Sequence, residues 1–181
     1  VAHNGTISNV EELSNMVGGC SFTPQKSSDT LVAAQRLVSL ISEKGKFADA
    51  LSVLKNEMIG SYCFTFLSDD TSVYAARDPL GFRPLVLGKK TDGGTHIVAS
   101  ESSALSAIGA DLVRDVTPGE LIKFSKSGVE SEMFSKEKRR AHCSFEFTYF
   151  AHPSSNMEGS NIYVSRKKIG QFLAKKFPIK D

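Results

Sequence analysis

The sequence predicts an α+β fold, with helices packed on antiparallel hairpins, and three observations lead there. Apolar residues recur at helical spacing through the first third of the chain. From Gly60 the period changes to the two-residue alternation of strands. The strands then come in pairs joined by short turns, without the strand–helix–strand order that builds a doubly wound parallel sheet.

The chain opens on Val1-Ala2-His3-Asn4-Gly5-Thr6, which reads as a loop leading into a helix. Asn-Gly is a common hairpin-turn dipeptide. The same pair also offers two donors, the Asn4 amide and the unshielded N–H of Gly5, suited to an oxygen that gains negative charge during acyl transfer. Ser8-x-x-Glu11 forms a capping-box pattern ahead of Val10, Leu13 and Val17, and Gly18-Gly19 closes that short helix. A polar loop from Thr23 leads to Ser28-Asp29, where a second helix is capped. Its expected inner face carries Leu31, Ala34, Leu37, Val38 and Ile41, and Gly45 ends it. A third helix runs from Phe47 to about Lys55 with Ala50, Leu51 and Leu54 inward.

Tyr62, Phe64 and Phe66 alternate with Cys63 and Thr65, and Val73 to Ala76 runs back after the Ser68-Asp69-Asp70 turn. Arg77-Asp78-Pro79-Leu80-Gly81 is a turn. A second pair, Pro84 to Leu87 and His96 to Ser100, is joined by Asp92-Gly93-Gly94. Glu101 to Ile108 reads as a short helix closed by Gly109, and a last hairpin, Leu121 to Phe124 and Val129 to Phe134, turns at Ser127-Gly128. Cys143 to Phe150 alternates aromatic and polar like a strand, His152 to Asn156 is a loop, and an amphipathic helix from about Ile162 to Phe177 carries Ile162, Ile169, Phe172 and Leu173. The basic run Lys136 to Arg140 reads as a linker, placing a boundary between 1–140 and 141–181.

A net charge of +2 over 181 residues supplies no argument for nucleic acid or an anionic membrane, and no apolar run is long enough to span a bilayer. Three widely spaced cysteines, Cys20, Cys63 and Cys143, fit a reducing cytoplasm better than a disulfide framework. The start at Val1 and the stop just after a helical pattern suggest a piece of a longer polypeptide. No Walker loop, Gly-x-Gly-x-x-Gly, Gly-x-Ser-x-Gly or His-Glu-x-x-His is present, and His3, His96, His142 and His152 lack ligand spacing. Cys143 beside His142 is a poor catalytic dyad, since neighbours on a strand point to opposite faces.

Five stretches in order carry a resemblance: Ala2-His3-Asn4-Gly5, Ser28-Asp29-Thr30, Ala76 to Leu85, Ala99-Ser100-Glu101-Ser102, and Cys143 to Pro153. Together they resemble the class II glutamine amidotransferases, which use an N-terminal nucleophile; the last stretch, with Asp115 to Glu120, resembles their phosphoribosyl-transferring branch, the amidophosphoribosyltransferases of purine synthesis. The resemblance implies an N-terminal-nucleophile-hydrolase sandwich of four layers, helices over two antiparallel sheets. Residues 1–140 would be the C-terminal portion of the glutaminase domain, and 141–181 a linker and the start of a phosphoribosyltransferase domain.

The resemblance further assigns Asn4 and Gly5 to an oxyanion hole and Asp29 to the α-amino group of glutamine, although a helix-cap role for Asp29 stands beside it. Arg77, Asp78 and Arg83 stay outside the catalytic set, since a buried charge network around a turn accounts for them equally. Tyr163 aligns with an ammonia-channel position, with simple packing as the alternative, and Cys143 with a ligand of a 4Fe–4S cluster that some members hold. The implied partners are glutamine, phosphoribosyl pyrophosphate with Mg2+ on residues outside this chain, and a second copy in a homo-oligomer. The nucleophilic Cys would precede Val1, leaving these residues alone inactive. A glucosamine 6-phosphate synthase type of amidotransferase, or a binding homologue without the nucleophile, is the alternative. His152 departs from the family pattern, which has Arg in many members.

Overall fold

A computed structural model describes residues 1–17, 28–92 and 94–179. The order of elements is β1 (Ala2–Ile7), α1 (Val10–Asn15), α2 (Asp29–Lys44), α3 (Phe47–Glu57), β2 (Gly60–Leu67), β3 (Val73–Arg77), β4 (Val86–Lys90), β5 (His96–Ala99), α4 (Ser102–Ala107), β6 (Ala110–Asp115), β7 (Glu120–Ser125) and β8 (Gly128–Met133). A π-helical turn (Glu146–Phe150), β9 (Asn156–Met157), β10 (Ser160–Asn161) and α5 (Ile162–Lys176) follow. The α+β class with antiparallel sheets is as the sequence predicts. Two compact units form, Val1–Arg83 with Val116–His142, and Pro84–Asp115 with Cys143–Asp181. Among the described residues no helix is long and apolar enough to cross a membrane.

The first unit is a five-stranded sheet of order β1-β2-β3-β7-β8, antiparallel at every junction, under the helices α1 to α3. Alternation along β2 turns Tyr62, Phe64 and Phe66 to one face, where they meet Leu13, Val32, Leu37, Leu51 and Leu54 in a single core. Phe47 stacks on Tyr74 at 4.0 Å between ring centroids, fixing the start of α3 over the sheet. Gly45 ends α2 in the left-handed conformation (φ 77°), its N–H bonded to the Ile41 carbonyl at 2.8 Å.

Three local expectations are corrected here. The opening stretch is not a loop or hairpin turn but strand β1, in register with β2 from Ala2↔Thr65 to Ile7↔Gly60. The capping box at Ser8 does not form: Ser8 Oγ donates to the Ile59 carbonyl at 2.9 Å, and Asn9 is the residue at the helix start. The inner face of α2 is Val32, Ala33, Leu37 and Leu40, whereas Leu31 and Val38 are exposed. Apolar residues cover most of that helix's circumference, so two overlapping stripes fit the period, and packing against the neighbouring elements selects between them. The glycine stop at 18–19, the loop from Thr23 and Gly93 of the predicted turn lie outside the described residues.

In the second unit β5-β4-β6 form an antiparallel sheet, with Leu105 of α4 packed on Val86 and Ala110. Strand β6 gives no periodic signal in the sequence, because its residues from Asp111 to Val113 are exposed and alternate neither in polarity nor in burial. The predicted strand over Cys143 to Phe150 is instead helical. Ala151 N–H bonds back to the Glu146 carbonyl at 3.1 Å, five residues earlier, which makes the turn a π-helix. Arg166 of α5 holds it: Nε donates to the Phe147 carbonyl at 2.9 Å and Nη2 to the Ala151 carbonyl at 2.8 Å. These contacts take up carbonyls left over at the end of the turn, and they outweigh the strand preference of alternating aromatics. Helix α5 starts and stops close to expectation, yet only Ile162 of its apolar residues is buried.

Arg36 of α2 and Glu57 at the end of α3 form a two-pronged pair, Nε–Oε2 2.8 Å and Nη2–Oε1 2.7 Å. The hydrogen bond from Arg36 holds the Glu57 carboxyl below the usual carboxylate range. A carboxyl depressed in the folded state contributes fully above its unfolded value and loses that contribution as pH falls through the folded one. Arg36→Met is therefore expected to lower stability in urea by about 1–3 kcal/mol at pH 7, with the difference from wild type shrinking as pH falls below that of an ordinary glutamate. A difference that stays constant into acid would show that the loss is packing alone.

Candidate active site

Strand β1 lies at the edge of its sheet, and its two sides do different things. His3, Gly5 and Ile7 face the helices, whereas Asn4 is exposed and directed to the opposite face. Backbone direction follows the same alternation. Ser8 N–H bonds to the Ile59 carbonyl at 2.8 Å, toward β2, while Ile7 N–H turns outward to Asp29 Oδ2 at 3.1 Å. In an antiparallel ladder residues of one parity send their N–H groups the same way, and the register through β1 is unbroken. The Gly5 N–H is therefore directed to the outer edge, the edge along which Asp29 lies.

Asp29 reaches that edge because Ser28 caps α2, its side chain accepting from Leu31 N at 3.2 Å. The Asp29 carboxylate is then freed from capping and oriented sideways. Oδ1 accepts from Thr30 N at 2.7 Å, Oδ2 takes the Ile7 N–H, and His3 Nδ1 stands 3.8 Å from Oδ2. The side chain is 27% exposed, so one fixed anionic group remains open on this edge. The Gly5 and Ile7 nitrogens are two residues apart along the strand, roughly 7 Å.

Gly5 has φ 154°, and a Cβ there would fall on the Ser61 carbonyl oxygen and 2.8 Å from His3 Nε2. His3 fills the space left by the missing side chain. Its side chain is 2% exposed, its ring lies tilted on Phe64 with centroids 4.7 Å apart, and it bonds Thr30 Oγ1 at 3.0 Å and the Ser61 carbonyl at 3.3 Å. Sequence reasoning passes over His3 and Thr30, although both stand inside motifs it uses. The available signal is parity: on a strand, His3 shares the face of Gly5 and Ile7.

Across the sheet, Asn4 pairs with Cys63 and Cys63 with Arg77. Arg77 is buried and donates to three backbone carbonyls, those of Arg83 at 2.9 Å, Val116 at 2.7 Å and Gly81 at 3.2 Å. Asp78 accepts from Leu80 N and Phe82 N, each at 2.9 Å. Burial raises the Asp78 carboxyl, opposed by these N–H bonds and by the charge of Arg77. The turn is built by buried charges acting on backbone.

Tyr163 and Cys143 belong to the second unit. Tyr163 is 61% exposed at the start of α5, with its N–H on the Pro153 carbonyl at 3.1 Å. Cys143 is a buried free thiol. Among the described residues no group of three or more His, Cys, Asp or Glu is placed to hold a metal, so these residues alone do not make up an iron–sulfur site, which requires four thiolates as a rule.

The profile of a family described as the glutamine amidotransferase domain matches residues 1–107, more than half of the chain. The chain belongs to that family. It is 38% identical over 179 residues to the amidophosphoribosyltransferase of Archaeoglobus fulgidus, an alignment covering 99% of this chain and 38% of that one. It is 37% identical over 180 residues to the enzyme of the same name from Bacillus subtilis, covering 96% of this chain and 36% of that one. Among solved structures, the glutamine phosphoribosylpyrophosphate amidotransferase from B. subtilis complexed with ADP and GMP superposes with a TM-score of 0.85 at 34% identity, over 99% of this chain and 38% of that chain. The chain thus spans little more than a third of the relatives it matches, and it shares their α+β fold of the N-terminal-nucleophile-hydrolase type.

The crowding at Gly5 makes it the least replaceable position of β1. Gly5→Ala is expected to cost about 2–4 kcal/mol, whereas Thr6→Ala, one residue on and exposed, stays within about 0.5 kcal/mol. Urea midpoints measure both, and equal costs would show that the backbone at Gly5 relaxes.

Proposed function

We propose that this chain is the glutamine-handling portion of an amidophosphoribosyltransferase. In that reading the whole protein hydrolyses glutamine to glutamate and passes the ammonia to phosphoribosyl pyrophosphate, giving 5-phosphoribosylamine and pyrophosphate. Residues 1–140 belong to the glutaminase domain and 141–181 to a linker and the start of the phosphoribosyltransferase domain.

The observation that supports this reading best is the shared edge of β1. Glutamine carries an ammonium and a carboxamide carbon separated by four bonds, about 5 Å when extended. An anionic carboxylate and an outward N–H spaced along one strand edge suit the two ends of such a molecule. Asp29 takes the ammonium by a charge-assisted hydrogen bond. As a thiolate attacks the carboxamide, the carbonyl oxygen becomes an oxyanion, and the Gly5 N–H with the Asn4 amide stabilises it. The nucleophile, placed by the resemblance ahead of Val1, lies outside these residues. Tyr163 would border the ammonia path, Cys143 would be one ligand of a cluster completed by other parts of the protein, and Mg2+ would accompany phosphoribosyl pyrophosphate. A homo-oligomer in the cytoplasm completes the proposal.

In the whole protein, Asn4→Ala is expected to lower glutamine-driven product formation by roughly a hundredfold while ammonia-driven formation persists. Asp29→Asn should raise the KM for glutamine at least tenfold. Pyrophosphate release with each nitrogen source reads both. Glutamine-driven rates equal to wild type in Asn4→Ala would reduce Asn4 to an ordinary strand residue and overturn the assignment.

A further inference from the structure

We infer that His3 is a positioning residue of the glutamine site, which keeps an oxygen of Asp29 open to the substrate's ammonium by drawing the Thr30 hydroxyl away from it; this rests on the reading of Asp29 proposed above. The groups facing the ring are Thr30 and Asp29 from α2 and Ser61 and Phe64 from β2.

The Ser61 carbonyl only accepts, so His3 Nε2 carries a proton to bond it, and in the neutral ring Nδ1 is then an acceptor. The Thr30 hydroxyl has one hydrogen and two acceptors in reach, His3 Nδ1 at 3.0 Å and Asp29 Oδ1 at 3.3 Å. We assign it to the shorter contact, His3 Nδ1, over the longer bond to Asp29 Oδ1. Asp29 Oδ1 is left with the Thr30 N–H at 2.7 Å, and Oδ2 with the Ile7 N–H at 3.1 Å. Each oxygen of an ionised carboxylate accepts about twice, so both retain capacity for a cationic ligand. Without an acceptor at Nδ1 the Thr30 hydroxyl turns to Asp29 and fills one of those places. His3 thus acts on the substrate through Thr30 and Asp29 without touching it.

The test uses the whole protein. His3→Leu is expected to raise the KM for glutamine about tenfold, the size of a charge-assisted hydrogen bond, with kcat within about twofold of wild type. His3→Asn, whose side-chain oxygen stands near the place of Nδ1, restores the KM. In a Thr30→Val background, where no hydroxyl competes, His3→Leu no longer changes the KM. A merely structural role would raise the KM equally in both backgrounds and gain nothing from Asn. Should His3→Leu fail to fold, His3→Gln serves, since its amide NH2 can take the place of Nε2–H toward Ser61 while no acceptor stands at the position of Nδ1. An additive double mutant, or a KM unmoved in His3→Leu while Asp29→Asn raises it, overturns this inference alone. A KM unmoved in Asp29→Asn overturns the glutamine reading and this inference with it.

Discussion

One carboxylate joins the first strand to the second helix, and the candidate site depends on that junction. Asp29 stands at the head of α2 but does not cap it, because Ser28 does. Freed from that task, its two oxygens bond the backbone of Thr30 and of Ile7, tying a helix start to an edge strand. An edge strand presents a row of unsatisfied N–H and C=O groups, which proteins cover or charge. Here a charged side chain takes one of them, and the neighbouring N–H of the same parity remains directed outward. The geometry that steadies the edge is the geometry that presents a donor and an acceptor side by side.

The strand can serve in this way only because its inner face is settled. Ile7 anchors it in the core, His3 lies between Phe64 and α2, and Gly5 leaves the room that the Ser61 carbonyl and the imidazole occupy. Farther into the sheet, Arg77 gathers the carbonyls of the turn that follows β3, and in the second unit Arg166 does the same for the π-helical turn. A guanidinium has five donors in a fixed fork, so one side chain can satisfy several buried carbonyls that no ladder reaches. Both arginines hold irregular backbone in place by this means.

The sequence makes the fold class legible because most helices and hairpins carry a clean period. Phe47 to Glu57 and the β2–β3 hairpin are read within a residue or two. It fails where packing chooses among equal options. Apolar residues around most of α2 leave its inner face undetermined, and exposed β6 has no alternation to read. Cys143 to Phe150 has the period of a strand, but a distant arginine, which no local pattern contains, makes it helical. The candidate residues Asn4, Gly5 and Asp29 are legible from motif; the parity that puts Gly5 and Asp29 on one edge is not, since it requires knowing that the opening residues form a strand.

That difference bears on how an oxyanion site is held. A loop that presents two donors must order its backbone each time charge develops, which costs reorganisation at the moment of reaction. A strand locked to its neighbour from Ala2 to Ile7 has met that cost on folding. The Gly5 N–H is fixed in direction by the ladder itself, and Asp29 is fixed to the same ladder through Ile7. Any displacement that separates the two must also break the junction between α2 and β1. Preorganisation at this edge is therefore a property of the sheet, and the donors proposed for the Asn-Gly pair would be held by a strand and not by a turn.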